Sequence, residues 1–165
     1  MRRFSLLILA LGACQAPPPQ PTVPDSLTEL EIGETVRVDY LYEGCFASGL
    51  RQRVEISRNE QGWLFEAWLP EQGKLGGSLE SLGTMWVRPQ ELAYWDGVVI
   101  SHRSGAPAGS TSLSVVELSW RRADQTLRSQ RFERDTQADE DLVAWIPPDP
   151  LTARLREASA LSDAP

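Results

Sequence analysis

The sequence predicts an α+β domain: an antiparallel β-sheet of about five to seven strands, covered by one helix over about residues 89–103. An all-β sandwich or barrel is the alternative. Three observations predict this class. Apolar and polar residues alternate through several short stretches, the period of a half-buried strand. Turn-forming clusters separate neighbouring stretches, so that they join as hairpins. One central segment abandons the period of two for helical spacing, with Leu92, Trp95, Val99 and His102 on a single stripe.

Taken in order, Thr35 to Tyr42 places Val36, Val38, Tyr40 and Tyr42 on one face of a strand, which Glu43-Gly44 ends. Gln52, Val54 and Ile56 alternate next. Asn59-Glu60-Gln61-Gly62 reads as a turn, after which Trp63, Phe65, Ala67 and Leu69 share a face up to the break at Pro70. Pro89-Gln90-Glu91 is a good helix start, with proline in the first turn and an acid near the positive helix end. Asp96-Gly97 and Val98-Val99-Ile100 compete with it as hairpin and strand signals, and the stripe decides for helix. Ser104 to Ser112 is then a loop. Leu113 to Trp120 and Thr126 to Arg134 form a second hairpin around Arg122-Ala123-Asp124-Gln125, and Leu142 to Ile146 adds an edge strand. Asp149-Pro150 opens a short helix from Leu151 to Leu161 that would fray as a tail.

Composition bounds the chemistry. The chain has 165 residues, 16 Lys+Arg against 23 Asp+Glu and a net charge of −7, with a pI near 4.8. That acidity argues against nucleic acid as a partner, because a phosphate backbone demands a positive footprint. His102 is the sole histidine and Cys14 and Cys45 the sole cysteines. These are too few for a His-rich metal site or a four-cysteine zinc site. No metal site and no cofactor is expected.

The N-terminus carries an address. Met1-Arg2-Arg3 is a positive start, Phe4 to Leu11 an apolar run too short to span a bilayer, and Gly12-Ala13 a small pair, the layout of a secretory signal peptide. Leu11-Gly12-Ala13-Cys14 resembles the lipobox of bacterial lipoproteins. The resemblance covers only this end of the chain. It implies cleavage before Cys14, a diacylglyceryl thioether on its sulfur, and a membrane as the first partner. Gln15, where an inner-membrane retention signal would have Asp, points to the outer membrane; in an organism with one membrane the anchor would sit on its outer face. Removing residues 1–13 takes Arg2 and Arg3 away and leaves a mature charge of −9. Pro17, Pro18, Pro19, Pro21 and Pro24 then favour an extended spacer. The expected organisation is a signal peptide over 1–13, a lipidated tether over 14–26, one β-rich domain over 27–149 and a short helix or tail over 150–165.

No catalytic set is recognisable, so no catalytic residue is assigned. Once Cys14 is lipidated, Cys45 is an unpaired thiol, readable as a buried apolar residue, as half of an intermolecular disulfide, or as a nucleophile. The last reading needs His102 as base and an acid such as Asp96. His102 by itself reads as a surface or helix-end residue. Gly76-Gly77-Ser78-Leu79-Glu80 lacks the final glycine of a nucleophile elbow. Asp135, Asp139, Glu140 and Asp141 read as a solvated acidic loop rather than a calcium loop, and as local partners for nearby arginines. Trp63 and Trp68 have opposite parity on one strand, so one of them lies off the main core. Together with Arg121, Arg122, Arg128 and Arg131 they are the candidate binding surface. The expected role is non-catalytic binding, inhibition or assembly, with another envelope protein or a cell-wall component as partner. The alternative is an envelope hydrolase using Cys45 with His102.

Overall fold

The computed structural model describes residues 23–44, 48–71, 78–104, 112–135 and 149–162. Six strands form one open antiparallel sheet: β1 (Thr35–Gly44), β2 (Ser48–Asn59), β3 (Gly62–Pro70), β4 (Leu79–Val87), β5 (Ser112–Arg121) and β6 (Leu127–Asp135). Their spatial order is β4-β3-β2-β1-β5-β6. Two helices accompany them, α1 (Ala93–Arg103), entered through a 3₁₀ turn at Pro89–Leu92, and α2 (Pro150–Ser162). The expected class, an antiparallel sheet with a covering helix, is the one observed. Among the described residues, no helix is long and apolar enough to cross a membrane.

The pleat sorts the two faces. Val38 of β1 stands opposite Val54 of β2 and Leu118 of β5, and Val36 opposite Ile56 and Trp120. All six are buried on the helix-covered face. The intervening residues point the other way, and there the ladder is charged. Asp39 takes Arg53 at 2.5 Å and Arg37 at 3.4 Å. Arg131 of β6 reaches Glu43, Glu117 and Glu133 at 2.7–2.9 Å. Arg131 is therefore held by glutamates of β1 and β5 across the ladder and by one of its own strand.

Helix α1 lies on the apolar face because its stripe is continuous. Leu92, Trp95, Val99 and His102 are 0%, 2%, 3% and 7% exposed. Burial of the three apolar members stabilises the helix by roughly 2 kcal/mol each, more than enough to override the Asp96-Gly97 hairpin signal. Asp96 is recruited elsewhere: its carboxylate accepts the Leu27 amide at 2.6 Å and the Ser26 hydroxyl at 2.9 Å. Arg103, about two turns on, donates to the carbonyls of Val23 and Pro24. Residues 23–30 are thus strapped along α1, with Val23, Leu27 and Leu30 buried in the core.

Helix α2 docks instead of fraying. Asp149 caps it, accepting from the Leu151 amide (3.0 Å), the Thr152 amide (3.3 Å) and the Thr152 hydroxyl (2.5 Å). Leu151 and Leu155 enter the core. Strand β4 is the element that periodicity does not reveal. Its apolar residues, Leu79, Leu82, Met85 and Val87, follow a mixed spacing because a bulge against β3, between Ala67 and Trp68, adds a residue. Gly83 supplies the positive φ of +97° there. The expected edge strand at Leu142–Ile146 lies outside the described residues.

Candidate functional site

Most inward positions of the central strands are apolar, but near one end of the sheet the pattern breaks. Gln52 of β2, Ser114 of β5 and Arg134 of β6 take positions on the covered face beside Tyr40 of β1. Helix α1 passes over them with Tyr94, Trp95, Val98, Ser101 and His102. Between helix and sheet lies a cavity of about 420 Å³ lined by these residues. Its size falls within the range of small-molecule sites. Gly97 stands at its margin, and a Cβ added there would meet nothing within 4 Å.

The polar groups of the cavity form an ordered relay. His102 Nδ1 is 2.8 Å from the Val98 carbonyl. A carbonyl only accepts, so Nδ1 carries the ring proton. Nε2 is then an acceptor, and the Ser114 hydroxyl donates to it at 3.1 Å. Tyr40 shares a hydrogen bond with Ser114, and its ring meets the imidazole edge-on at 5.9 Å. Burial, chiefly, pushes the His102 pKa below its ordinary value, helped by the nearby Arg134 cation and opposed by the Val98 hydrogen bond. Burial raises the Tyr40 hydroxyl. Tyr94 is pushed up to about 12, by burial first and then by the Asp149 charge. At neutral pH the imidazole and both phenols are therefore uncharged, and Arg134 is the cation on the wall.

Gln52 closes the other side. Its amide donates to the Thr152 hydroxyl at 2.6 Å and to Asp149 at 3.3 Å, tying the start of α2 to the cavity floor. The amide oxygen remains as an acceptor.

A serine donating to a neutral imidazole has the handedness of an activated nucleophile, but the described residues bring no carboxylate to the other ring nitrogen. The third partner of His102 is a helix carbonyl, not a carboxylate. Ser114 lies inside a strand laddered on both sides, opposite Tyr42 and Arg134. Backbone amides committed to a ladder offer no oxyanion hole. The relay is suited to holding a ligand.

The sequence-based candidates scatter. Cys14, Cys45 and the acidic residues Asp139, Glu140 and Asp141 lie outside the described residues. Of the Cys45–His102–Asp96 arrangement, the described residues show that Asp96 accepts from residues 26 and 27 and that the ring nitrogens of His102 meet the Val98 carbonyl and the Ser114 hydroxyl. His102 stands in the last turn of its helix, as expected, yet it is buried rather than on the surface. Trp63 is half-buried against the core beneath Arg58, whose guanidinium is 3.9 Å from the ring centroid. Trp68 stands opposite Arg53 on the other face, so the parity argument holds. Arg121 is exposed at the end of β5. Arg122 sits 3.8 Å from both Glu34 and Asp124. Arg128 stands opposite Trp120 on the covered face, and Arg131 is held by three carboxylates. These six residues do not share one face. Among the described residues, no group of three or more His, Cys, Asp or Glu side chains is placed to hold a metal ion.

Comparison with protein-family models, with curated proteins and with solved structures found no match for this chain.

Proposed function

We propose that this chain is an envelope lipoprotein anchored through Cys14, whose domain is a non-catalytic binding module holding a small ligand between α1 and the sheet. The observation that carries the binding half is the cavity itself: about 420 Å³, walled by Tyr40, Tyr94, Trp95 and Val98, with a few convergent polar groups at one end. The anchor rests on the Leu11-Gly12-Ala13-Cys14 resemblance, with the outer membrane as the preferred address and a proline-rich spacer between lipid and domain.

Two experiments test the halves separately. Metabolic labelling with a fatty-acid probe marks the wild type and leaves Cys14→Ser unmarked; labelling of both removes the anchor. Small molecules extracted from the domain purified from its native envelope are compared with those from Gly97→Trp, whose indole would fill the cavity margin. A compound present in the wild type and depleted in the variant is expected, and identical extracts would contradict the reading.

The Ser114–His102 hydrogen bond favours one rival, a hydrolase. A serine-reactive phosphonate probe separates the two. Binding predicts no labelling of Ser114, whereas labelling that disappears in His102→Gln would establish the enzyme.

A further inference from the structure

We infer that the ligand of the α1 cavity is a small neutral molecule with an apolar body and a hydrogen-bond-donating end, a hydroxyl or an uncharged N–H, given to the Gln52 amide oxygen beside the Tyr40 oxygen. This rests on the binding reading above and narrows it to a ligand class.

The fold has already committed the protons of the cavity's central polar groups. Both N–H bonds of the Gln52 amide are used, on the Thr152 hydroxyl and on Asp149. A carboxylate only accepts, so the amide nitrogen must face Asp149, and Oε1 is the atom left over. Among the described residues, nothing donates to that oxygen. The His102 proton goes from Nδ1 to the Val98 carbonyl, and the Ser114 proton to Nε2. In the hydrogen bond that Tyr40 shares with Ser114, the phenol is therefore the donor, and its oxygen keeps a lone pair to accept with. Ser101 gives its own proton to the Val98 carbonyl.

The result is a wall that accepts. Tyr40 and Gln52 stand directly opposite each other on β1 and β2, about 5 Å apart at their bases, so one ligand group can meet both. A hydroxyl or an amide N–H brings the donor they lack. A carboxylate has no proton to offer. An ammonium could donate, but the described wall residues include no carboxylate to receive its charge, and burying an unpaired cation is costly. Arg134 and Tyr94, which have partners of their own within the fold, are not called on.

Discrimination comes from the acceptor. Water pairs with Gln52 Oε1 in the free protein, whereas a ligand without a donor covers that oxygen and leaves it unpaired. The body is limited by size and by the apolar surface of Trp95 and Val98. A cavity of about 420 Å³ has the volume of roughly a dozen waters at about 30 Å³ each, room for a single aromatic ring or a medium alkyl chain.

The test titrates phenylethyl alcohol and octanol into the wild-type protein, Tyr40→Phe, Gln52→Met and Gly97→Trp by calorimetry, with melting curves to confirm folding. Each alcohol is run beside its fluoride, in which fluorine replaces the hydroxyl at similar size without the proton, and beside its primary amine. The wild type is expected to bind at least one alcohol about tenfold or more tighter than its fluoride, because the fluoride covers the acceptor without a donor. That preference should largely vanish in Gln52→Met and weaken in Tyr40→Phe, and all binding should disappear in Gly97→Trp. Equal affinity for alcohol and fluoride would overturn the donor inference and leave the cavity a binding site. An amine that binds tighter than its alcohol would overturn the neutral class. A preference unchanged in both Gln52→Met and Tyr40→Phe would overturn the assignment of the acceptors. Binding of none of these, with the wild type folded, would overturn the inference and the binding reading together. If Gln52→Met fails to fold, the alcohol-over-fluoride ratio in the wild type and in Tyr40→Phe decides alone.

Discussion

Removing the Asp149 carboxylate is the perturbation whose cost the structure defines best. In Asp149→Ala the start of α2 loses its cap to the Leu151 and Thr152 amides, an effect of about 0.5–2 kcal/mol. The Thr152 hydroxyl and the Gln52 amide also lose their shared acceptor. Asp149 and Thr152 are nearly inaccessible to solvent, at 1% and 3% exposed, so water does not step in, and each orphaned group costs about 1–3 kcal/mol. Gln52 and Thr152 keep their own bond, which recovers part of this. The expected net loss is about 2–4 kcal/mol, a fall in melting temperature on the order of 10 °C for a domain of this size. Asp149→Asn, which keeps an oxygen for the cap, should lose about 1 kcal/mol. Urea denaturation with an unchanged m-value is the assay. A loss below about 0.5 kcal/mol for Asp149→Ala would refute the claim that α2 is docked through its cap.

Other outcomes follow from the same geometry. Because burial lowers the His102 pKa from 6.5, the unfolded chain takes up the proton first as pH falls, so the stability contributed by the neutral imidazole is whole above about pH 6.5 and declines below it. The urea midpoint of the wild type should therefore drop between about pH 7.5 and about pH 5.5 by more than that of His102→Gln, and parallel curves would contradict the buried relay. Arg131→Ala leaves Glu43, Glu117 and Glu133 facing one another, yet these groups are about 40% exposed. Its cost should be about 1–2 kcal/mol at low salt and should shrink in about 1 M NaCl, as denaturation at the two ionic strengths would show.

How far the sequence reveals this protein depends on whether a residue type and its position agree. Val36, Val38, Val54, Ile56 and Phe65 are apolar at inward positions, so period alone places them, and Leu92–Trp95–Val99–His102 places the helix. β4 escapes because the bulge at Ala67/Trp68 breaks its period. The cavity escapes for a related reason. Gln52 and Ser114 are polar residues on the inward parity of strands whose other inward positions are mostly apolar, a mismatch legible in the sequence, whereas Arg134 shares its parity on β6 with Arg128 and Gln130 and nothing marks it out. The mismatch becomes interpretable only when register brings β1, β2, β5 and β6 side by side under His102. The arginines and indoles drew attention by number, but cross-strand pairing absorbs Arg131 and opposite parity separates Trp63 from Trp68.

The central claim is that the space under α1 receives a ligand. Amide and side-chain NMR shifts of the labelled domain during titration with the small molecules extracted from its native envelope preparation test it most directly. The account predicts perturbations centred on Tyr94, Val98, Ser101, His102 and Ser114, absent in Gly97→Trp. Perturbations confined to Leu64, Trp68 and Trp86 on the opposite face, or persisting in Gly97→Trp, would contradict it.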